Sequence, residues 1–206
     1  DMIILSHMHE DHTNAIYDIV KKYDVGMVIY PVTYEMCDEY TNISKLLNEK
    51  NIKFICAFED TFFNVGKNIE IEILSPKQYE KINSNDVLNA NSIVSILTIK
   101  KGYLKNDNYL FMGDATKETE KYILDKKLRY AQEEKLKNIK CIQIGHHGSK
   151  TSTSEEFLKK VNPCYALISS KKKVYGHPSQ DTLELLKKYN FKIVITEENG
   201  ALLFNE

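Results

Sequence analysis

Apolar and polar positions run along this chain in two rhythms, one helical and one alternating. Met2-Ile3-Ile4-Leu5 is an unbroken apolar run that gives way at once to polar residues, which predicts a buried strand surfacing into a loop. Ile16, Ile19 and Val20 recur at helical spacing as far as Tyr23-Asp24, with Thr13 or Asn14 placed to cap the helix. Val25 to Tyr30 predicts a short strand stopped by Pro31, and Ile52 to Ala57 another. Between them, Tyr34 to Lys50 reads as a helix with Met36, Tyr40, Ile43, Leu46 and Leu47 as its apolar stripe.

From Thr61 the period becomes two. Phe63 and Val65, then Ile69, Ile71 and Ile73, alternate with polar residues around Asn64 to Asn68, which predicts a hairpin. Ser75 to Asn91 reads as a long polar loop of the kind that borders sites. Ser92 to Ile99 and Tyr109 to Met112 form the clearest strand pair, and the second runs straight into Gly113-Asp114. Helices from Lys117 to Leu128 and on to Lys137 precede a strand from Lys140 to Ile144, which meets Gly145-His146-His147-Gly148. Helix and strand then alternate: helix Ser154 to Lys160, strand Tyr165 to Ser169, helix Ser179 to Tyr189, strands Lys192 to Ile195 and Ala201 to Phe204. Strands paired antiparallel first and interleaved with helices later predict a layered α/β fold, and the simplest assignment is one domain over residues 1–206.

Composition narrows the class. With 42% apolar and 28% charged residues the chain is an ordinary globular one, and its formal net charge of -1 provides no global field for nucleic acid. No apolar run approaches bilayer length, so the chain carries no membrane segment. Cys37, Cys56, Cys141 and Cys164 include no C-x-x-C pair, which argues against a zinc knuckle and fits reduced thiols in a cytoplasmic setting. The pattern specifies no oligomeric state.

Histidine placement carries the chemistry. Three of the six histidines, with Glu10 and Asp11, crowd into His7-Met8-His9-Glu10-Asp11-His12 directly after the first strand. His7 and His9, two apart in an extended segment, project to one side and can grip one ion, while Asp11 and His12 can serve a second. Two ions roughly 3.5–4 Å apart can share a water, lower its pKa and clamp both oxygens of an in-line displacement, so the cluster points to a two-metal hydrolase. The other histidines, His146, His147 and His177, also follow or flank predicted strands, where sites gather in layered α/β folds. Asp114 leaves a strand end after a glycine, where a carboxylate can bridge two ions.

His-x-His-x-Asp-His after a strand, a later Gly-Asp and downstream histidines resemble the metallo-β-lactamase superfamily. More narrowly, Gly145-His146-His147-Gly148-Ser149-Lys150-Thr151-Ser152 with Tyr175-Gly176-His177-Pro178-Ser179 resembles the hydrolase domain of ComEC-type DNA-uptake proteins. The resemblance implies an αββα sandwich lacking its amino-terminal strands. It implies that His7 and His9 hold one ion, that Asp11, His12 and one of the paired histidines, His147 in preference to His146, hold the other, and that Asp114 bridges. Asp11, His146 and His177 then form the catalytic set, with His146 facing phosphate and His177 near the leaving oxygen, while Ser149 and Lys150 present a hydroxyl and a cation to an anionic substrate. Zinc is the expected metal, since His9 stands where the ComEC-type pattern often has Asp, with manganese as the alternative. Asn91, in the stretch where many relatives place a further His, is a poor ligand and predicts a weakly held first ion. The implied activity is phosphodiester hydrolysis, with DNA as a substrate. Its rivals are hydrolysis of a thioester, lactone or β-lactam, and a catalytically weak binding module.

Overall fold

The computed structural model describes residues 1–35, 37–102, 106–126, 128–170 and 176–204; Met36 of the predicted stripe and Tyr175 of the second motif lie outside them. In chain order the elements are β1 (Met2–Ile4), α1 (Glu10–Thr13), α2 (Ala15–Lys22), β2 (Met27–Pro31), α3 (Asp38–Glu49), β3 (Lys53–Ala57), β4 (Phe62–Val65), β5 (Ile69–Ser75), α4 (Val87–Ala90), β6 (Val94–Lys100) and β7 (Asn106–Phe111). There follow α5 (Lys117–Asp125), α6 (Tyr130–Lys137), β8 (Ile139–Gln143), α7 (Glu155–Val161), β9 (Tyr165–Ile168), α8 (Gln180–Lys188), β10 (Lys192–Ile195) and α9 (Thr196–Asn199).

Among the described residues these strands form two sheets. The smaller is parallel in the order β1-β2-β3, with Met2 beside Met27 and Met27 beside Lys53. The larger runs β10-β9-β8-β7-β6-β5-β4, antiparallel from β4 to β7 and parallel from β7 to β10. The switch follows from the connections: a short turn joins β4 to β5, while α5 with α6, α7 and α8 separate the late strands, and a parallel pair needs such a crossover.

Each sheet is covered on both faces, which explains why its strands read as apolar runs. On one side of β2, Val28 packs with Ile16 and Val20 of α2 and Ile43 and Leu47 of α3. On the other, Ile29 and Ala57 meet Ile71, Ile73 and Ile93 of the larger sheet. That sheet's outer face packs Leu74, Ile96, Leu110 and Ile142 against Ile123 of α5, Leu136 of α6, Phe157 of α7 and Leu186 of α8. The layers are therefore helix, sheet, sheet, helix. Because three strands face seven, part of the inner surface beyond β1 stays open as a cavity of about 450 Å³, lined by Ile4, Ile93, Leu97, Phe111, Gln143 and, at one end, His12 and His147.

Three sequence expectations need correction. The second helix begins at Asp38 rather than Tyr34, after Cys37 in an extended conformation. The 75–91 stretch is not all loop, because Asp86 caps a short helix by accepting the Asn89 N–H at 3.0 Å. Residues 201–204 form no strand; Phe204 instead docks between Tyr109 and Tyr165, with ring centroids 5.3 and 5.2 Å away, so aromatic packing replaces strand pairing there. Among the described residues, no helix is long and apolar enough to cross a membrane.

One buried ion pair fastens α6 to the outer face of β5. Glu72, 1% exposed, accepts from Arg129 at 2.6 Å and Lys135 at 2.7 Å. Glu72→Ala leaves Lys135 with Glu70 as its remaining partner and Arg129 half exposed, and is expected to cost about 1.5–3 kcal/mol in urea unfolding. The exposed Lys77–Glu80 pair serves as the control, and its loss should change stability by less than about 1 kcal/mol.

Candidate active site

The amino-terminal cluster is positioned from both ends. Leu5 extends β1 by donating its N–H to Ile29 O at 2.9 Å, and Met8, 2% exposed, plugs into the helix-side core. His7 lies between these anchors and is 1% exposed. His9 is the residue before α1, so Asp11 and His12 project from the first turn of a helix rather than from a plain loop. The Ser6 hydroxyl lies 3.1 Å from both His7 Nδ1 and His12 Nδ1, which turns His7 Nε2 towards His9 Nδ1 and His12 Nε2 towards His147 Nε2.

Asp114 arrives from the tip of β7. Gln143 Oε1 accepts the N–H groups of Met112 and Gly113 at 2.9 and 3.0 Å, fixing the chain as it leaves the sheet. Gly113 has φ +55°, and a Cβ there would lie 2.7 Å from Ser6 Cβ, so only glycine lets this tip approach the first cluster. Asp114 is 3% exposed, and its Oδ1 is buried without a hydrogen bond although His12 Nε2 is 3.3 Å away. Its Oδ2 lies 3.9 Å from His7 Nε2, 3.9 Å from His146 Nε2 and 3.6 Å from His147 Nε2.

The paired histidines come from the tip of β8 in consecutive left-handed conformations, with φ +49° and +54°. His147 donates from Nδ1 to Ser169 O at 2.7 Å, which turns its Nε2 towards His12 Nε2 at 3.3 Å and Asp11 Oδ2 at 3.5 Å. His146 Nδ1 is 3.1 Å from Thr151 Oγ1. Buried Glu120 of α5 steadies the following loop by accepting the N–H groups of Thr153 at 2.8 Å and Ser154 at 2.6 Å.

His7, His9, Asp11, His12, Asp114, His146 and His147 are thus brought together. Two triads within them, His7-His12-Asp114 and Asp11-His12-His147, each place their donor atoms within 4.8 Å of one another. Facing imidazole nitrogens, such as His7 Nε2 and His9 Nδ1 at 3.0 Å, and the orphaned Asp114 oxygen make a donor set suited to divalent cations. His177 lines the same cavity of about 200 Å³, its ring centroid 5.8 Å from that of His146.

Ser149 and Lys150 are not brought to this cavity. Ser149 is 5% exposed with its hydroxyl turned to Thr151 Oγ1 at 3.0 Å, and Lys150 sits exposed on the far side of the turn, its carbonyl accepting from Lys117 Nζ. Asn91 also turns away from the cavity, its amide hydrogen-bonded to the backbone of Ile82 and Val87. The cavity is lined instead by Asp86 and Asn89, which the polar loop reading passed over. The available signal was Asp86 three residues before Asn89, a capping spacing.

Burial, aided by the charge of His12, pushes the His7 imidazole down to about 3. Burial also acts on His12, but Asp114 and then Asp11 more than reverse it and its pKa is raised. Asp114 would be raised by burial, yet His12, His7 and His147 hold it at about 2. His177 is lowered by burial and then by His146 and His147. Between pH 3 and 6.5 the unfolded chain therefore binds a proton at His7 that the folded chain refuses, so stability falls as pH falls. His12 has the opposite sign, but its contribution is complete below 6.5 and fades only as pH rises through its folded value. Thermal melts in chelator should show stability dropping from about pH 6.5 to 5, by up to roughly 1.4 kcal/mol per pH unit, and His7→Asn should flatten the profile.

This layering, with ligand-type residues at the tips of β1, β7 and β8, is the metallo-β-lactamase fold, shared with metal-dependent hydrolases. The isothiocyanate hydrolase from Delia radicum gut bacteria superposes with a TM-score of 0.54 at 14% identity, over 99% of this chain and 76% of that one. Zn(2+)-bound PqqB from Methylobacterium extorquens gives 0.54 at 7% identity, over 99% and 73%, and the diiron β-hydroxylase CmlA from Streptomyces venezuelae gives 0.56 at 11%, over 94% and 43%. By sequence the chain is similar to ComE operon protein 3 of Bacillus subtilis, 25% identical over 99% of this chain, and to Recombination protein 2 of Haemophilus influenzae, 28% identical over 100%. It spans 24% and 22% of their respective lengths. No family model matches the sequence.

Proposed function

We propose that residues 1–206 form one domain that hydrolyses phosphodiesters with two divalent ions, and that its substrate is DNA. The observation that carries this reading is Asp114: a buried carboxylate with an orphaned oxygen, within 4 Å of four imidazoles and shared by the donors around it. His7, His9 and Asp114 would hold one ion, and Asp11, His12, His147 and Asp114 the other, zinc or manganese. Such a pair supplies Lewis acidity at the phosphoryl oxygens and a water acidic enough to act near neutral pH.

The protein's own groups do the rest. Ser6 and the Ser169 carbonyl fix the ring orientations of His7, His12 and His147, so no reorganisation is needed when substrate arrives. His146, braced by Thr151, presents Nε2 to a non-bridging phosphate oxygen. His177, which lines the same cavity, would give a hydrogen bond to the leaving oxygen. Asp11, the most exposed of the carboxylates in the two triads, orients the attacking water through its free oxygen. DNA as substrate is supported by the names of the sequence relatives, a competence-operon protein and a recombination protein.

An acyl substrate is the rival, supported by the apolar 450 Å³ cavity against His12 and His147. The test loads the protein with zinc or manganese and compares bis-p-nitrophenyl phosphate and single-stranded DNA with thioester, lactone and β-lactam panels. Turnover of the phosphodiesters is expected. Turnover of acyl substrates alone, or none with two ions bound, would overturn the assignment.

A further inference from the structure

Asn89 is the one cavity-lining side chain of the 75–91 stretch that is fully enclosed, at 2% exposure. Its orientation is set by hydrogen bonding. The Nδ2 group donates to Asp86 Oδ2 at 2.9 Å and lies 3.5 Å from His146 Nε2, so the amide nitrogen is committed to that side. Its Oδ1 is then left buried with no donor among the described residues, as is Asp114 Oδ1 in the same cavity. Two enclosed oxygen acceptors beside a cluster of imidazoles, both unsatisfied, are what a bound cation would resolve. Asp86 reinforces the arrangement, because by accepting from both the Asn89 backbone and its amide it locks the carboxamide against rotation.

We propose that Asn89 Oδ1 is an oxygen ligand of the ion held by His7, His9 and Asp114. This rests on the two-ion reading above and deepens it. A neutral amide oxygen is a harder and weaker donor than imidazole, so this position should favour manganese relative to what a nitrogen ligand would select. The two ions should therefore differ: the one held by Asp11, His12 and His147 binds tightly, and the Asn89 one exchanges more readily and prefers the harder metal.

Titration calorimetry with manganese and with zinc, and metal content after dialysis, read this without any assay of turnover. The wild-type chain is expected to bind two ions of unequal affinity. Asn89→Ala should weaken the looser one by about tenfold or more and leave the tighter one unchanged. Asn89→His, which restores a nitrogen donor, should tighten zinc at that site by a similar factor and shift the preference away from manganese. Cobalt substitution adds a spectroscopic readout, since loss of an oxygen ligand changes the visible absorption of one cobalt only. Should Asn89→Ala fail to fold by circular dichroism, the Asn89→His metal preference decides alone. Two ions with unchanged affinities in both folded variants would overturn the Asn89 assignment and leave the two-ion site standing. No ion bound by the wild-type chain would remove both.

Discussion

Asp114→Asn is expected to abolish most turnover while leaving the fold intact. The substitution keeps the shape of the side chain and its backbone bond to Ser92, but removes the charge that His7, His12, His146 and His147 surround. Loss of a group that merely orients a ligand costs about 10–100-fold, so loss of the shared ligand itself should lower the rate by roughly 100-fold or more. Metal content should fall from two ions to one or none. Circular dichroism and a thermal melt check that the chain still folds. Wild-type turnover in this variant would end the assignment of Asp114 as the bridge.

Gly148→Ala carries the largest expected stability change. Gly148 has φ +80°, and a Cβ there would sit 2.7 Å from Pro178 Cβ and 3.2 Å from its Cα, where the turn after His147 presses on the loop that carries His177. Backbone strain of about 1–2 kcal/mol adds to a packing clash of about 1–3 kcal/mol. A loss of about 2–5 kcal/mol lowers the melting temperature by roughly 4–20 °C for a chain of this size. Gly66→Ala supplies the comparison: its φ is +63° but nothing lies within 4 Å of the added methyl. It should show the backbone cost alone. Equal losses in the two variants would mean that the 148–178 contact contributes nothing. Activity should fall with Gly148→Ala as well, because Gly148 O also accepts the Ser179 N–H at 2.9 Å and so ties the two histidine loops together.

What could be read in advance divides along physical lines. The strand and helix rhythm of the core was legible because burial on both faces of a sheet leaves a direct trace in composition, as in Val28 and Ile29, which enter opposite layers. That residues 7–12 gather in one place was legible because one short segment carries several ligand-type side chains. Asn89 was not, because whether an asparagine faces a cavity or a backbone depends on the turn of a four-residue helix, and Asn91 two positions later takes the structural part. Ser149 failed for the same reason. Its hydroxyl is consumed by the turn that it belongs to, and residue type alone does not reveal that. The final strand failed because Ala201 to Phe204 has strand-like apolarity but is spent on an aromatic contact.

The consecutive left-handed residues at 146 and 147 constrain how this centre can be dissected. Both histidines already carry the cost of about 1 kcal/mol or more that any residue with a Cβ meets in this conformation, so alanine at either position keeps that cost and reports the loss of the ring. Glycine, which accepts that backbone freely, relieves the cost and hides part of the ring's loss: glycine against alanine measures the strain held in the turn, and alanine against histidine measures the ring.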